Sequence, residues 1–197
     1  EVVALVRNGA RHIGTPGRID LIRSKDGGRT WSRPERLPKT SEDDRGPEKE
    51  PPRRITTLHF RRDDIGFLLD RHSHVFVLDP FADEPAPVQV TADDHEYDQV
   101  SWTPAGDLLF VTDRDTPWNT YLHSDVYSCA ADGSRLRRLT PGGQDAAVPV
   151  TSADGGTVFY LAASDLGADA ADFVGRNGVL WSVPADGSAR PTRLTTP

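Results

Sequence analysis

The sequence predicts an all-β chain that is built from repeated antiparallel sheets. Residues 91–111 and 140–160 align at an offset of 49 residues, which pairs Thr91 with Thr140, Gly106 with Gly155 and Phe110 with Phe159. Short apolar strands alternate with Asp-Gly turns, which is a hairpin signal. Helical periodicity is nearly absent, and the best helical stretch, residues 164–175, is expected to lie inside a loop.

The repeat continues on both sides of the aligned segments. Ala-Asp-Gly-Ser occurs at 131–134 and again at 185–188, and an earlier copy at 74–91 places Phe76 where Tyr127 and Trp181 stand later. Four short strands in about 50 residues is the size of one propeller blade. We therefore expect β-propeller blades, with about four repeats of a four-stranded antiparallel sheet in a partial or small ring.

Three segments follow from the shifts in composition. Residues 1–40 form a first blade of a different type, and residues 55–197 form three similar repeats. Between them, residues 41–54 are dense in charge and proline and hold almost no apolar residue, so we expect a seam or linker there.

Composition excludes several classes of partner. The 197 residues carry a formal net charge of -7 and no basic stripe, so neither nucleic acid nor an anionic membrane is an expected partner. Cys129 is the only cysteine, which excludes an internal disulfide and a cysteine zinc site. No apolar run approaches the roughly 18 residues of a membrane helix. We expect a soluble chain, cytoplasmic rather than secreted.

Residues 24–31 fit the pattern Ser-x-Asp-x-Gly-x-Thr-Trp through Ser24, Asp26, Gly28, Thr30 and Trp31. The hydroxyl and carboxylate can accept backbone N–H bonds in a tight turn, where Gly28 can supply positive φ. The pattern resembles the Asp-box of bacterial sialidases and related propellers, and we expect it to be structural. Trp31 is expected to pack beneath the turn, so that Trp31→Ala destabilises strongly, and more than loss of Trp118 from an exposed loop.

The flanks of the Asp-box also resemble a sialidase-like glycosidase. That resemblance implies arginines that bind a substrate carboxylate and an aspartate that serves as acid and base. Arg18, Asp44 and Arg45 are the weak candidates for ligand binding, and the alternative is that they are exposed charges near a junction. The Tyr–Glu nucleophile pair of such enzymes is not found, so no catalytic residue is assigned.

Residues 52–195 resemble the propeller domain of prolyl oligopeptidase-family serine peptidases, to which TolB-like repeats are related. The turn at 102–107, Trp-Thr-Pro-Ala-Gly-Asp, carries much of that resemblance. It implies a propeller that is not itself catalytic and that caps a separate hydrolase domain. Gly-x-Ser-x-Gly, the elbow that exposes a nucleophilic serine, does not occur in the chain, so we do not expect an enzyme.

Metal ligation is not expected, and neither is a cofactor. His72 and His74, with Asp70 nearby, more simply line a solvated blade edge than bind a metal. His95 stands among acidic residues, but the Gly-centred loop of a strong calcium motif is absent; those residues are Asp93, Asp94 and Asp98. Residues 113–115 read as a polar turn, and Cys129 as a small buried side chain.

Two halves that resemble two propeller families indicate a chimeric or recombined chain, or a natural gene whose first blade carries an Asp-box. The leading hypothesis is a non-catalytic scaffold or binding module, including the accessory propeller of a serine peptidase. The alternative is a sialidase-like glycosidase or a carbohydrate-binding propeller. Four blades would leave an open arc, so we expect self-association or a partner that completes the ring through apolar end faces, represented by Val3, Leu5, Leu180 and Val183.

Overall fold

The structure is a computed structural model, and contacts divide the chain into two units. It describes residues 2–8, 18–37, 52, 54–55, 60–62, 66–67, 72–114, 123–164, 175 and 177–196. The first unit comprises Glu1–Thr56, Phe60–Asp70 and Phe76–Val88. The second comprises Thr57–His59, Arg71–Val75 and Gln89–Pro197.

The first unit contains a three-stranded antiparallel sheet in the order β1-β2-β3, formed by Val2–Asn8, Arg18–Ser24 and Glu35–Arg36. Leu21 in the middle of β2 is buried, and β1 pairs with β2 along its whole length. Two short pairs follow in the chain, namely β4 (Arg61–Arg62) with β5 (Gly66–Phe67) and β6 (Phe76–Val77) with β7 (Val88–Gln89).

The second unit contains two four-stranded antiparallel blades. One of them, the β8–β11 blade, consists of the strands Tyr97–Trp102, Asp107–Thr112, Asp125–Ala130 and Arg137–Arg138. The last blade consists of β12 to β15, at Ala147–Thr151, Thr157–Ala162, Val179–Pro184 and Thr192–Arg193. The described residues contain no helix, and so none that is long and apolar enough to cross a membrane. The expected all-β fold class of propeller blades is confirmed.

One hydrogen bond closes each of three successive repeats. Near the start of the third strand, a backbone N–H donates to the hydroxyl of the threonine that ends the repeat; the pairs are Val75 to Thr91 at 2.9 Å, Val126 to Thr140 at 3.1 Å and Leu180 to Thr195 at 2.9 Å. Beside it, the residue before the threonine donates its N–H to the same third-strand residue, at 2.8 Å each time, from Val90, Leu139 and Leu194. These bonds define which positions are equivalent in the three repeats.

Successive repeats are joined by a second recurring bond. Tyr97 N–H donates to the Ser73 carbonyl and Ala146 N–H donates to the Ser124 carbonyl, both at 3.0 Å. The innermost strands β8 and β12 each contain an irregularity in register at the same place, where Gln99 and Val148 have φ of 54° and 52°. The Gln99 side chain accepts a hydrogen bond from Val148 N–H, so the first strand of one blade contacts that of the next.

The structure corrects the predicted alignment of the repeats, which made Phe110 equivalent to Phe159. Asp107 pairs with Ala130 and Thr157 pairs with Pro184, so the second strands correspond at an offset of 50 residues and Phe110 is equivalent to Tyr160. The extra residue is Gly156, which lengthens the turn before β13; Gly155 and Gly106 still correspond at 49, with φ of 74° and 83°.

The two blades pack together through unlike faces. The β8–β11 blade contributes an aliphatic face, made of Leu109, Val111, Val126 and Leu139. The last blade contributes an aromatic face, made of Val158, Tyr160, Val179, Trp181 and Val183. All nine side chains are at most 5% exposed. Val183 was expected on an exposed end face and is instead buried, because its face of the sheet is the one that the preceding blade covers.

The opposite side of the β8–β11 blade is its own aromatic face. Tyr97, Phe110 and Tyr127 follow one another there, with ring centroids 5.4 and 6.4 Å apart. Leu108 and Cys129 share this face by register and are buried. The β8–β11 blade therefore carries one face of each kind.

Some expectations concern residues outside the described ranges. Residues 165–174 of the helical stretch, most of the seam at 41–54 and Trp118 lie there, and the side chains of Val3 and Leu5 are also not described. The segment boundaries near residues 40 and 54 stay a prediction.

We expect Phe110→Ala to lower the free energy of unfolding by roughly 3–5 kcal/mol, because this ring is fully buried between two aromatic neighbours. Phe81 is 61% exposed, so Phe81→Ala is a control with the same chemical change and an expected loss of about 0.5 kcal/mol or less. Denaturant unfolding of both variants measures the difference. Equal losses of unfolding free energy in the two variants would contradict the assignment of Phe110 to the core.

Candidate functional site

The Asp-box turn holds its polar side chains in hydrogen bonds to its own backbone. Ser24 Oγ accepts the Gly28 N–H at 2.8 Å, and Asp26 Oδ1 accepts the N–H groups of Arg29 and Thr30 at 3.0 and 2.9 Å. Thr30 donates its hydroxyl to Asp26 Oδ2 at 2.6 Å. Gly28 has a φ of 90°, a conformation that side chains disfavour. The carboxylate therefore organises a hairpin turn.

These bonds lower the pKa of Asp26 to about 2, with the Thr30 hydroxyl as the largest cause, followed by the Thr30 N–H and the Ser24 hydroxyl. A carboxyl that is ionised at all ordinary pH values cannot serve as a general acid there. The geometry therefore supports the structural role that was predicted for the box.

The expected burial of Trp31 is wrong. Its side chain is 42% exposed, although the ring does lie against the turn, since a Cβ placed on Gly28 would be 3.6 Å from Trp31 Cζ2. The turn is fixed by hydrogen bonds, so the indole covers only the outside of the glycine. Trp31→Ala should therefore cost less than a core truncation.

The three weak ligand-binding candidates are not brought together by any described contact. Arg18 begins β2 and pairs with Asn8 through the backbone, but its side chain is not described. Asp44 and Arg45 lie outside the described residues. A carboxylate-binding group formed by these residues stays a prediction.

A polar cluster on the β8–β11 blade was missed by the sequence analysis. Tyr97 donates its hydroxyl to Asp93 Oδ1 at 2.7 Å. Arg114 bonds Asp93 Oδ2 through Nη1, which also lies 3.1 Å from Tyr97 Oη. Asp93 precedes β8 and Arg114 follows β9, so the antiparallel pairing of these strands places both at one end of the blade.

Burial and the Asp93 carboxylate together raise the pKa of Tyr97 to about 12, burial being the larger cause. The Asp93 side chain thus takes part in both an ion pair and a hydrogen bond. Arg114 was predicted to lie in a polar turn, and it is in fact a bonded member of this cluster. The signal in the sequence was weak, because Asp93 and Arg114 are separated by most of a hairpin.

A cavity of about 350 Å³ opens beside this cluster. Its lining combines the polar cluster with apolar side chains, and consists of Val90, Thr91, Ala92, Asp93, Tyr97, Arg114, Cys129, Gly133 and Leu136. Gly133 has a φ of 82°, and a Cβ there would come within 2.7 Å of the Val90 carbonyl oxygen. The close approach of the 131–134 turn to Val90 therefore requires glycine and shapes one wall.

His72 and His74 are engaged in hydrogen bonds. His72 Nδ1 lies 3.0 Å from Glu96 Oε1, and His74 Nδ1 lies 3.3 Å from Thr91 Oγ1. The His72 side chain is 13% exposed, so the expected solvated edge is largely buried. His95 Nδ1 lies 3.5 Å from Asp113 Oδ1, and burial raises the pKa of Asp113. Within the described ranges, no group of three His, Cys, Asp or Glu side chains is placed to hold a metal ion.

Cys129 is 2% exposed, which confirms the predicted burial. Desolvation raises the pKa of its thiol, and the nearby carboxylates of Asp107 and Asp132 raise it further. Because the thiolate is the reactive form, this thiol is poorly suited to nucleophilic chemistry.

Comparison with known proteins supports the fold. No protein-family model and no curated protein sequence matches the chain. A solved structure from Agrobacterium tumefaciens, assigned as a TolB, is similar with a TM-score of 0.52 and 18% sequence identity. The match covers 100% of this chain and 63% of the TolB chain, so this chain spans less than two thirds of that protein's length. At this identity the likeness shows a propeller-like all-β fold and nothing of the activity.

We expect Asp26→Asn to destabilise the chain in a manner that depends on pH. The folded pKa of about 2 is below the ordinary value of 3.8, so the ionised carboxylate stabilises the fold above pH 3.8, and this contribution disappears as the pH falls towards 2. Urea unfolding across this pH range should show that the difference in free energy of unfolding between wild type and variant disappears in acid. Asp83→Asn removes an exposed carboxylate outside the box and serves as the control. Its difference in free energy of unfolding from wild type should not disappear in acid.

We also expect the folded chain to resist thiol reagents. Cys129 should react with Ellman's reagent slowly in buffer and stoichiometrically in denaturant, since it is buried and its thiol pKa is raised. A Cys129→Ser/Ser134→Cys double variant moves the thiol to an exposed turn and should react at once. Fast reaction of the folded wild type would contradict the buried position.

Proposed function

We propose that the chain is a β-propeller module that works by binding rather than by catalysis. The observation that supports this most directly is the Asp93–Tyr97–Arg114 cluster, in which each polar side chain beside the cavity already has a partner. Acid–base catalysis needs a group that exchanges a proton near neutral pH. A tyrosine with a pKa of about 12 and a buried thiol with a raised pKa do not meet that need.

The cavity beside this cluster is the binding place that we favour. Its volume of about 350 Å³ is at the small end of ligand sites, which combine apolar walls with a few fixed polar groups. Val90, Cys129 and Leu136 supply apolar surface, and Arg114, Tyr97 and Thr91 supply hydrogen-bonding atoms. A small apolar group with a polar tip, such as a side chain of a bound peptide, suits this lining.

The resemblance of residues 52–195 to peptidase propellers supports a narrower version of the proposal. In that version the chain is the accessory propeller of a prolyl oligopeptidase-family serine peptidase and acts on substrates only through a catalytic partner domain. The Asp-box in residues 24–31 accounts for the other resemblance if the chain is recombined from two propeller types.

A second candidate is a carbohydrate-binding or sialidase-like propeller. The complete set of hydrogen bonds in the Asp-box turn favours it, because the sequence pattern and the local geometry agree. The box stabilises a turn in this structure, so any sugar-binding role would fall to other residues, with Arg18, Asp44 and Arg45 as the candidates.

Two probes separate these functions. We expect no active-site labelling of the purified chain by a fluorophosphonate and no turnover of a fluorogenic sialoside, with an active serine hydrolase and an active sialidase as controls. Labelling that is lost on heat denaturation would overturn the non-catalytic proposal. Turnover of the sialoside that falls in an Arg18→Ala variant would favour the second candidate.

A further inference from the structure

We propose that Asn177 is a site of spontaneous modification, at which its side-chain amide becomes a carboxylate through a cyclic imide formed with Gly178. The two residues are an Asn-Gly pair that directly precedes strand β14 of the last blade. The reaction needs water and no cofactor or second protein. It is separate from the cavity and from the binding function proposed for it.

The chemistry of this pair depends on the absence of a side chain on glycine, which leaves its backbone nitrogen uncrowded and its backbone free to rotate. The nitrogen of Gly178 attacks Cγ of Asn177, so that a new C–N bond closes the imide ring and the Cγ–Nδ2 bond breaks. The amide nitrogen leaves as ammonia, together with the proton that the backbone nitrogen loses. Water then opens the ring. Opening at Cγ gives aspartate, and opening at the backbone carbonyl carbon gives isoaspartate, in which the chain continues through the former side chain.

The structure exposes both partners in this reaction. Asn177 and Gly178 are exposed and belong to no strand, because β14 begins at Val179 and its pairing with β13 begins there with Ala162. Ring closure requires the backbone to rotate until the glycine nitrogen meets the side chain. A residue within a paired strand would have to break its ladder hydrogen bonds to do so. The pair at 177–178 is therefore accessible to water and free of that restraint.

The sequence contains a second Asn-Gly pair, at residues 8–9, which provides an internal comparison. Asn8 is the last residue of β1, and its backbone pairs with Arg18 in β2. The two pairs are alike in sequence, but only Asn177 lies outside a strand. The position relative to the sheets therefore selects Asn177 as the residue that reacts in the folded chain.

The fold does not require a glycine at position 178. Gly178 is not among the glycines with positive φ, so its backbone conformation is open to other residues. A Cβ there would lie 3.7 Å from the Ala162 carbonyl oxygen and 3.9 Å from Leu161 Cβ, which are ordinary contact distances. Gly178→Ala is therefore expected to fold, while its methyl group crowds the nitrogen that must attack Asn177.

The isoaspartate product is expected to weaken the start of β14. It inserts a methylene into the backbone directly before a strand whose first residue, Val179, is 2% exposed. The next residue, Leu180, donates its N–H to Thr195 in the bond that closes the repeat. A displaced strand start strains both the burial and this bond. The aspartate product only adds an exposed charge, so Asn177→Asp should unfold at nearly the same urea concentration as wild type, and protein that contains isoaspartate should unfold at a lower one.

Peptide mass spectrometry of the full chain after incubation at mildly alkaline pH tests the proposal. In the folded wild type, the peptide with Asn177 should gain the mass that replacement of NH2 by OH gives, and it should become a substrate of a protein-isoaspartate methyltransferase. The peptide with Asn8 should stay unmodified. In denaturant both peptides should react, because the strand that restrains Asn8 is then lost. Gly178→Ala is the matched control, in which modification at position 177 should not be detected over the same time.

Three results would overturn the proposal. One is an unmodified Asn177 in folded wild type after a time in which the denatured chain reacts. Another is equal modification of Asn8 and Asn177 in the folded chain, since position relative to the sheets would then not select the site. The third is a Gly178→Ala protein that is folded by circular dichroism and modified at Asn177 as fast as wild type. If Gly178→Ala does not fold, Asn177→Gln decides in its place, because the longer side chain closes a ring far more slowly.

Discussion

The central strands of each blade are apolar on both faces, and this constraint shapes the rest of the second unit. In β9, residues Leu108 to Val111 are all buried, although successive side chains of a strand point to opposite sides of the sheet. A sheet of this kind is stable only when both sides are covered, as in layered β structures. Stacking against neighbouring parts of the second unit therefore stabilises the β8–β11 blade.

The outer edge of a blade presents a different problem, because its fourth strand is very short. Strands β11 and β15 each contain two residues, so the ladder provides few hydrogen bonds. The threonine that ends each repeat extends the pairing by accepting one more backbone N–H from the third strand. In β8–β11, Thr140 also donates to the buried Asp125 at 2.6 Å, and Asp125 in turn binds Arg138.

The last blade shows which part of this arrangement is essential. Val179 stands where Asp125 stands one repeat earlier, so the carboxylate network is absent from that place, yet the bond to Thr195 is kept. Burial raises the pKa of Asp125, which marks it as a costly group that the outer edge can replace. The threonine is the constant element of the repeat.

Much of this could be predicted from the sequence, and the failures have physical causes. The repeat period, the turns and the Leu-Thr endings are local patterns of the sequence. They correctly predicted that Thr91 and Thr140 occupy equivalent positions in their repeats. The Phe110–Phe159 pairing failed because Gly156 adds one residue to a turn, and a shift of one residue moves every side chain of a strand to the other face. Identity of residue type was a poorer guide there than strand register.

The candidate site was harder to predict for a related reason. Asp93 and Tyr97 are close in sequence, but Arg114 reaches them only through the pairing of β8 with β9. The prediction that Trp31 is buried failed for a different reason. The hydrogen bonds of Ser24 and Asp26 alone determine the turn and leave the indole on the outside. In both cases the local pattern identified a turn correctly and did not determine what the side chain next to it contacts.

The unlike faces of the β8–β11 blade give it a direction. Its aromatic face, with Tyr97, Phe110 and Tyr127, lies on the side opposite the last blade, and its aliphatic face packs against the aromatic face of that blade, so reversing the blade would match like to like. The bulges at Gln99 and Val148 bend the innermost strands at equivalent positions, and the hydrogen bond from Val148 N–H to the Gln99 side chain joins the two strands there. The inner strands and the packed faces therefore determine the same order of the two blades.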